Sequence, residues 1–334
     1  MSSCVIYVDS SKGDDRSAGT ESKPLKTLTR VADLISGRRE DGPVSIRIAP
    51  GVYALDRAAV FEGNKSYTRN ERLTIEALYL PGDPEWTPDL MPVVLSTERP
   101  EVGEDHKGPV EAKGLQVEMN HVTIRGLKFL GSPVSGVWYY PVFRGGMDLR
   151  DLVVTQCLFV SERYTTSSNV AVIAHGHELI VDHCVFHNCR NSVVFWNAEG
   201  GTSRGNVMRH CIVDGCYTSC IWVCQTAEDL EFHHNVITNC EYFFMRDADN
   251  KRCYRLEDCL ITDCRYYAGV AAPDYSTSVA GPEIVFEEKN VVREGHVILV
   301  EGRGLDAGLP KSFLHVIPRS PGSDIDAGLF TGRT

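Results

Sequence analysis

The segment HCVFHNCRNSVVFW, residues 183–196, sets two cysteines five residues apart among histidines. Those residue types suit three things: ligation of a borderline metal, a disulfide framework, or a repeated structural rung. The chain beyond it favours the third. HCIVDGCYTSCIWV follows from residue 210, HNVITNCEYFFMRD from 234 and DCLITDCRYYAGVA from 258. Cys157, Cys184, Cys211, Asn235 and Cys259 stand 27, 27, 24 and 24 residues apart, and Cys189, Cys216, Cys240 and Cys264 form a second column.

Each rung reads as a short apolar strand, a polar corner and another short strand, with no helical period between them. That excludes strand–helix–strand units. A repeat of this length with two or three strands per turn predicts a parallel β-helix, whose coils leave their apolar faces open until the next coil stacks about 4.8 Å away. Alternation turns Cys184, Cys211 and Cys259 inward, so the cysteines are expected as core thiols rather than disulfides. Asn235 replaces a thiol in one coil, where it is expected to bond neighbouring backbone. Gln156, His183, His210, His234 and Asp258 then form an outward vertical row. His183, His210 and His234 are candidate metal ligands, and the plain alternative is a stack of imidazoles on an outer face.

Composition bounds the rest. The chain has 334 residues, with 45 acidic against 34 Lys and Arg side chains. No basic patch suggests a nucleic-acid partner, and no apolar run approaches a membrane span. The opening MSSCVIYVDSS lacks the basic and apolar regions of a secretion signal. It fits a cytoplasmic protein if the chain is complete, or a secreted or periplasmic one if a signal was trimmed.

Residues 1–96 differ from the coils and are expected to form an N-terminal cap with the first coils; residues 97–300 carry the helix coils and 301–334 a tail packed upon them. A helix is predicted after Pro24, capped by Thr27 or Thr29, with Leu28, Val31, Ala32, Leu34 and Ile35 on its apolar face. The string YVDSSKGDD, the later KPLKTLTRVADLI, IRIAPGVYAL, and the closing SPGSDIDAG from Ser320 resemble right-handed parallel β-helix proteins of the pectin lyase-like superfamily. The resemblance implies an all-β fold, a single right-handed parallel β-helix with an N-terminal helix-containing cap. It also implies a polysaccharide lyase or glycoside hydrolase acting on a poly- or oligosaccharide. It implies no catalytic residue, because the Asp-Asp and Gly-His-Gly motifs of polygalacturonases and the Asp-Pro-His of mannuronan epimerases are absent.

Alternation along the second strand of each rung points Phe195, Trp222 and Phe244 outward as an apolar column, continued by Trp138. Beside it stand Tyr140, His175, Asn197, Cys224 and Arg246. An aromatic stripe next to hydrogen-bonding groups suits a sugar's CH faces and hydroxyls. The alternative is that the C-terminal segment or a partner subunit of a homo-oligomer covers this face. Loops leaving these strands supply Glu199, Glu228, Asp247, Asp249 and Asp274, with Gln225 as a further substrate contact. Hydrolysis needs two carboxyls roughly 5–9.5 Å apart, and Glu228 with Asp247 is the expected pair, assisted by His175, Asn197 and Arg246. Hydrolysis needs no cofactor. β-Elimination instead needs a base, here Arg246 or His175, with Ca²⁺ held by Asp247, Asp249 and Glu228. A non-catalytic glycan-binding or structural β-helix is the third reading.

Overall fold

The computed structural model describes residues 4–101, 109–197, 201–224, 226–272, 277–279, 286–302 and 307–331. Each coil holds three short strands. Arg150–Thr155, Leu158–Val160 and Val170–Ala174 form one turn, and His177–Asp182, Val185–His187 and Asn191–Phe195 stack on it in parallel. First and second strands of successive coils merge into a 17-stranded sheet, and the third strands build a nine-stranded one. The chain is a parallel β-helix, as the repeat predicts.

The corners explain the polar punctuation of the repeat. Gln156, His183, His210, His234 and Asp258 adopt φ of 51°, 49°, 54°, 54° and 51°. This left-handed region is tolerated best by Gly, Asn, Asp and His. One such residue therefore splits each apparent long strand, such as LVVTQCLF, into the first and second strands of a coil. A second corner column is Asn188, Gly215, Asn239 and Asp263.

Identical register puts like on like. Cys157, Cys184 and Cys211 are fully buried in the core. Phe129, Phe159 and Phe186 stack at centroid spacings of 4.9 and 4.8 Å, which is one coil each. Asn235, also fully buried, accepts from the Cys211 amide at 2.9 Å and donates to the Met208 carbonyl at 3.0 Å. It satisfies in the core what an apolar residue would leave open.

One end is covered by the helix Leu28–Ser36, capped by Thr27, whose hydroxyl accepts from the Arg30 amide. Leu28, Val31, Ala32 and Ile35 are its buried face. An uncovered end would be an unpaired sheet edge. The C-terminal segment takes a different surface. Val297, Phe313, Leu314, Val316, Ala327 and Leu329 pack on the outward row Leu158, Val185, Ile212, Val236 and Leu260 of the second strands.

Two outcomes follow for the frame. Replacing Asn235 by Ala strands the Cys211 amide and Met208 carbonyl. It is expected to lower unfolding free energy by about 1–3 kcal/mol in denaturant titration, with secondary structure retained. At another corner the Asp151 carboxylate accepts from Arg72 Nη1 at 2.5 Å and meets His121 Nδ1 at 2.7 Å. Burial pushes its carboxyl up, but the hydrogen bonds of Arg72 and His121 outweigh it and hold it below the usual value. The stabilisation is thus complete above the unfolded Asp value, about 3.9, and is lost as pH falls through the lower folded value. Asp151→Asn is expected to unfold more readily at pH 7, with the difference from the parent shrinking in acid denaturation below about pH 4.

Candidate functional site

The third strands do not alternate along their whole length. In successive coils the ladder skips one position, occupied by Gly114, Pro141, Ala171, Ser192, Cys220, Phe243 and Tyr267. At this stacked bend two consecutive residues face inward: Ala171 with Val172, Cys220 with Ile221, and Phe243 with Phe244, all in the core cluster. Alternation restarts one residue later than a simple count gives.

The outward row is therefore Phe143, Ile173, Val194, Trp222, Met245 and Gly269, paired coil to coil. Trp222 is outward as expected. Phe195 and Phe244 are not: both are fully buried in the interior, the former beside Ala174 and Val223 in register. Arg246 follows the same phase. It pairs with Val223, is buried, and donates from Nη1 to the Asn250 carbonyl at 2.6 Å, so it holds the turn after Asp247 instead of facing solvent. Asn197 is buried too, donating to Met147 and Thr202 carbonyls at 3.2 and 2.7 Å. It ties loops together.

What remains outside is an aromatic face. Trp138, Phe143, Trp196 and Trp222 are partly buried around Tyr140, Val170, Ile173, Val194 and Cys224. The described tail residues pack on the 17-stranded sheet, and none of them belongs to this cluster. His175 sits here, its ring 4.4 Å from Trp196, with Nδ1 buried and without a hydrogen-bond partner. Burial, then the charges of Arg144 and Lys113, lower its pKa, so at neutral pH it is an uncharged imidazole. Trp222 Nε1 donates to Asp247 Oδ1 at 3.0 Å.

Further along the same face runs a polar chain through Tyr140, whose other members alternation does not single out. Arg190 donates to Asn169, Asn169 to the Tyr140 hydroxyl, and Tyr140 to Glu111, at 3.0, 3.2 and 3.4 Å. Lys113 Nζ stands 3.9 Å from Glu111 and 4.3 Å over the Phe143 ring, and Arg190 lies 5.5 Å over Trp138. Glu98 reaches the same lysine. Burial raises its carboxyl above the usual value, against the opposing effects of the Lys113 amide and charge. Laying VEAKGLQV under VWYYPVFR as adjacent rungs would have placed Glu111 and Lys113 beneath Trp138 and Tyr140, as the register has them. Glu98 carries no such signal, since its environment is made by residues distant in sequence.

The two members of the expected acid pair have different surroundings. Glu228 pairs with Arg204, which holds its carboxyl below the usual value, whereas a general acid must keep its proton. It lies at the rim where Ser203 and Ala227 bridge coils, while Asp247 is on the aromatic face. Among the described residues, the groups of three or more converging metal-ligand side chains are His210, His233, His234 and His183, His210, Asp326. Asp247, Asp249 and Glu228 belong to neither. Gln225, Glu199 and Asp274 lie outside the described residues.

The family profile described as "Right handed beta helix region" matches residues 113–282. The chain belongs to the right-handed β-helix family. No curated protein sequence matches this β-helix protein. Among solved structures it is similar to the GH136 lacto-N-biosidase from Eubacterium ramulus, with 10% identity and a TM-score of 0.52, over 87% of this chain and 55% of that one. It thus spans little more than half of that enzyme. A rhamnogalacturonan lyase aligns at 14% identity and TM-score 0.47, over 79% of this chain and 70% of that one. XylC in complex with xylose aligns at 9% identity and TM-score 0.47, over 88% and 69%. At these identities the likeness is one of fold alone, that of a right-handed β-helix.

The phase of the third strands is testable through stability. Phe195→Ala in this β-helix protein is expected to cost about 3–5 kcal/mol in chemical denaturation. Trp222→Ala, which removes an outward ring, is expected to cost clearly less in the same measurement.

Proposed function

We propose that the protein is a carbohydrate-active enzyme that hydrolyses glycosidic bonds of a poly- or oligosaccharide lying along the outer face of the nine-stranded sheet. One observation carries this. Of the four tryptophans, Trp138, Trp196 and Trp222 lie on this one face, and beside them two carboxyls, Glu98 and Glu111, flank Lys113. Aromatic rings match the CH faces of sugars, and the Arg190–Asn169–Tyr140–Glu111 chain offers donors and acceptors to hydroxyls.

In this reading Glu98, whose carboxyl burial raises above the usual value, is the general acid toward the leaving oxygen. Glu111, oriented by Tyr140 and Lys113, is the ionised partner that activates water or attacks the anomeric carbon. Trp138 and Phe143 form the platform that seats the sugar ring. Asp247 and Trp222 extend the platform toward the other end of the face.

β-Elimination on a uronate-containing glycan is the second reading, and His175 favours it. It is an uncharged imidazole on the same face, with Lys113 near enough to act on its charge. A lyase would use His175 to abstract the proton beside the carboxylate that Lys113 or an added Ca²⁺ neutralises.

A panel of neutral and uronic polysaccharides, assayed with Ca²⁺ and with chelator for new reducing ends and for the ultraviolet absorbance of a new double bond, separates the readings. Hydrolysis is expected to give reducing ends without absorbance. Glu98→Gln and Glu111→Gln are each expected to lower kcat about 10²–10⁴-fold while glycan binding persists. The rate should fall as pH rises through the raised Glu98 pKa, and that limb should vanish in Glu98→Gln. Absorbance that depends on His175 would instead establish the lyase. Binding without product in either channel would leave a glycan-binding β-helix.

A further inference from the structure

The imidazole row at the corner between first and second strands has a feature that the fold does not require. His183 and His210 stack at 4.5 Å and 14°, and His210 and His234 at 5.0 Å and 27°. Left-handed corners one coil apart account for the stacking. They do not account for two buried polar atoms left without a partner: Nε2 of His183 and Oδ1 of Asp326.

His183 is only 7% exposed. Its Nδ1 lies 2.9 Å from Asp182, which also accepts from Arg209 at 3.1 Å. With the Nδ1 proton given to Asp182, Nε2 is a lone pair with no donor facing it. A carboxylate that fixes one ring nitrogen and leaves the other free is the usual support of a metal-bound histidine. His210 is held in the same sense, for its Nδ1 donates to the Asp326 carbonyl at 2.5 Å, which makes Nε2 the ring nitrogen that carries the lone pair. The Asp326 carboxylate is brought in by the C-terminal strap, anchored where the Gly328 amide donates to the His210 carbonyl at 2.9 Å. His183, His210 and Asp326 each offer an atom within 4.8 Å of the other two.

We infer that His183, His210 and Asp326 bind one divalent transition-metal ion of the zinc class, which fastens the C-terminal strap to the coils. Two imidazoles and a carboxylate are a donor set for such ions. Ligand atoms of a tetrahedral zinc site stand roughly 3.3 Å apart at bond lengths of about 2.0–2.1 Å. Binding therefore tilts the two rings out of their stack and draws Asp326 inward. The neighbouring group of His210, His233 and His234 is the less suitable seat, because Nδ1 of His233 and His234 are 3.0 Å apart and already bonded to each other. The site lies on another sheet from the aromatic face and stands independently of the glycan reading.

The test is a titration of the full chain, stripped with chelator, with Co²⁺ and Zn²⁺. The expected result is one Co²⁺ per chain with the visible bands of a tetrahedral centre, displaced by Zn²⁺. A rise in Tm should accompany it and be reversed by chelator. Asp326→Asn, which keeps the shape of the strap, and His183→Asn, which suits the left-handed corner, should lose the bands. Asp182→Asn should weaken binding about 10–100-fold, and His233→Ala should leave it intact. Absence of stoichiometric Co²⁺, or unchanged bands in Asp326→Asn, would overturn the inference. So would loss of the bands in His233→Ala but not in His183→Asn. Should His183→Asn fail to fold, Asp326→Asn alone decides.

Discussion

Hydrogen bonding from coil to coil is the constraint on which the rest of this protein depends. Strands of three to eight residues have no stability of their own, and their amides are satisfied only by the coil on either side. Register is thereby shared by all coils, and a residue type chosen once is repeated above and below itself. The stacked phenylalanines, the inward cysteines and the imidazole row are consequences of that one rule. Where a coil departs from it, compensation is visible. Asn235 takes a thiol's place and returns both of its hydrogen bonds to the preceding coil.

The same rule made the fold readable from sequence and the site less so. Columns of cysteine at near-constant spacing, and His, Asn and Asp at the turns, report register and left-handed corners directly, because chemistry at those positions is restricted. The outward face obeys no comparable restriction. A stacked bend at Ala171, Ser192, Cys220 and Phe243 shifts the phase by one residue, and the bend carries no fixed residue type. Trp222 lies outward as alternation has it, because it is flanked by the inward Ile221 and Val223. Phe195, Phe244 and Arg246 were reversed because their segments are apolar on both faces, VVFW and FFM, so alternation offers no anchor. Glu98 was invisible, since its raised pKa comes from burial beside Lys113 and from no local pattern.

Charge on the outer face also differs from what composition suggests. The chain is acidic overall, yet Lys113 and Arg190 lie over Phe143 and Trp138. The face is thus aromatic with embedded cations and two flanking carboxyls, rather than uniformly negative. In the proposed reading that arrangement accommodates neutral and acidic sugars, and Glu98 or His175 would be the proton-transfer group at the bond. The described apolar residues of the C-terminal strap are committed to the second-strand row.

The central claim, that the outer face of the nine-stranded sheet is the glycan surface, is tested most directly by tryptophan emission. Trp138, Trp196 and Trp222 lie on that face, while Trp86 is fully buried in the cluster under the strap. Titration with a bound poly- or oligosaccharide is predicted to shift and quench the emission, with the change lost in Trp138→Phe, Trp222→Phe double variants and kept in Trp86→Phe. A glycan that binds or is cleaved while the emission of the three face tryptophans stays unchanged would contradict the account.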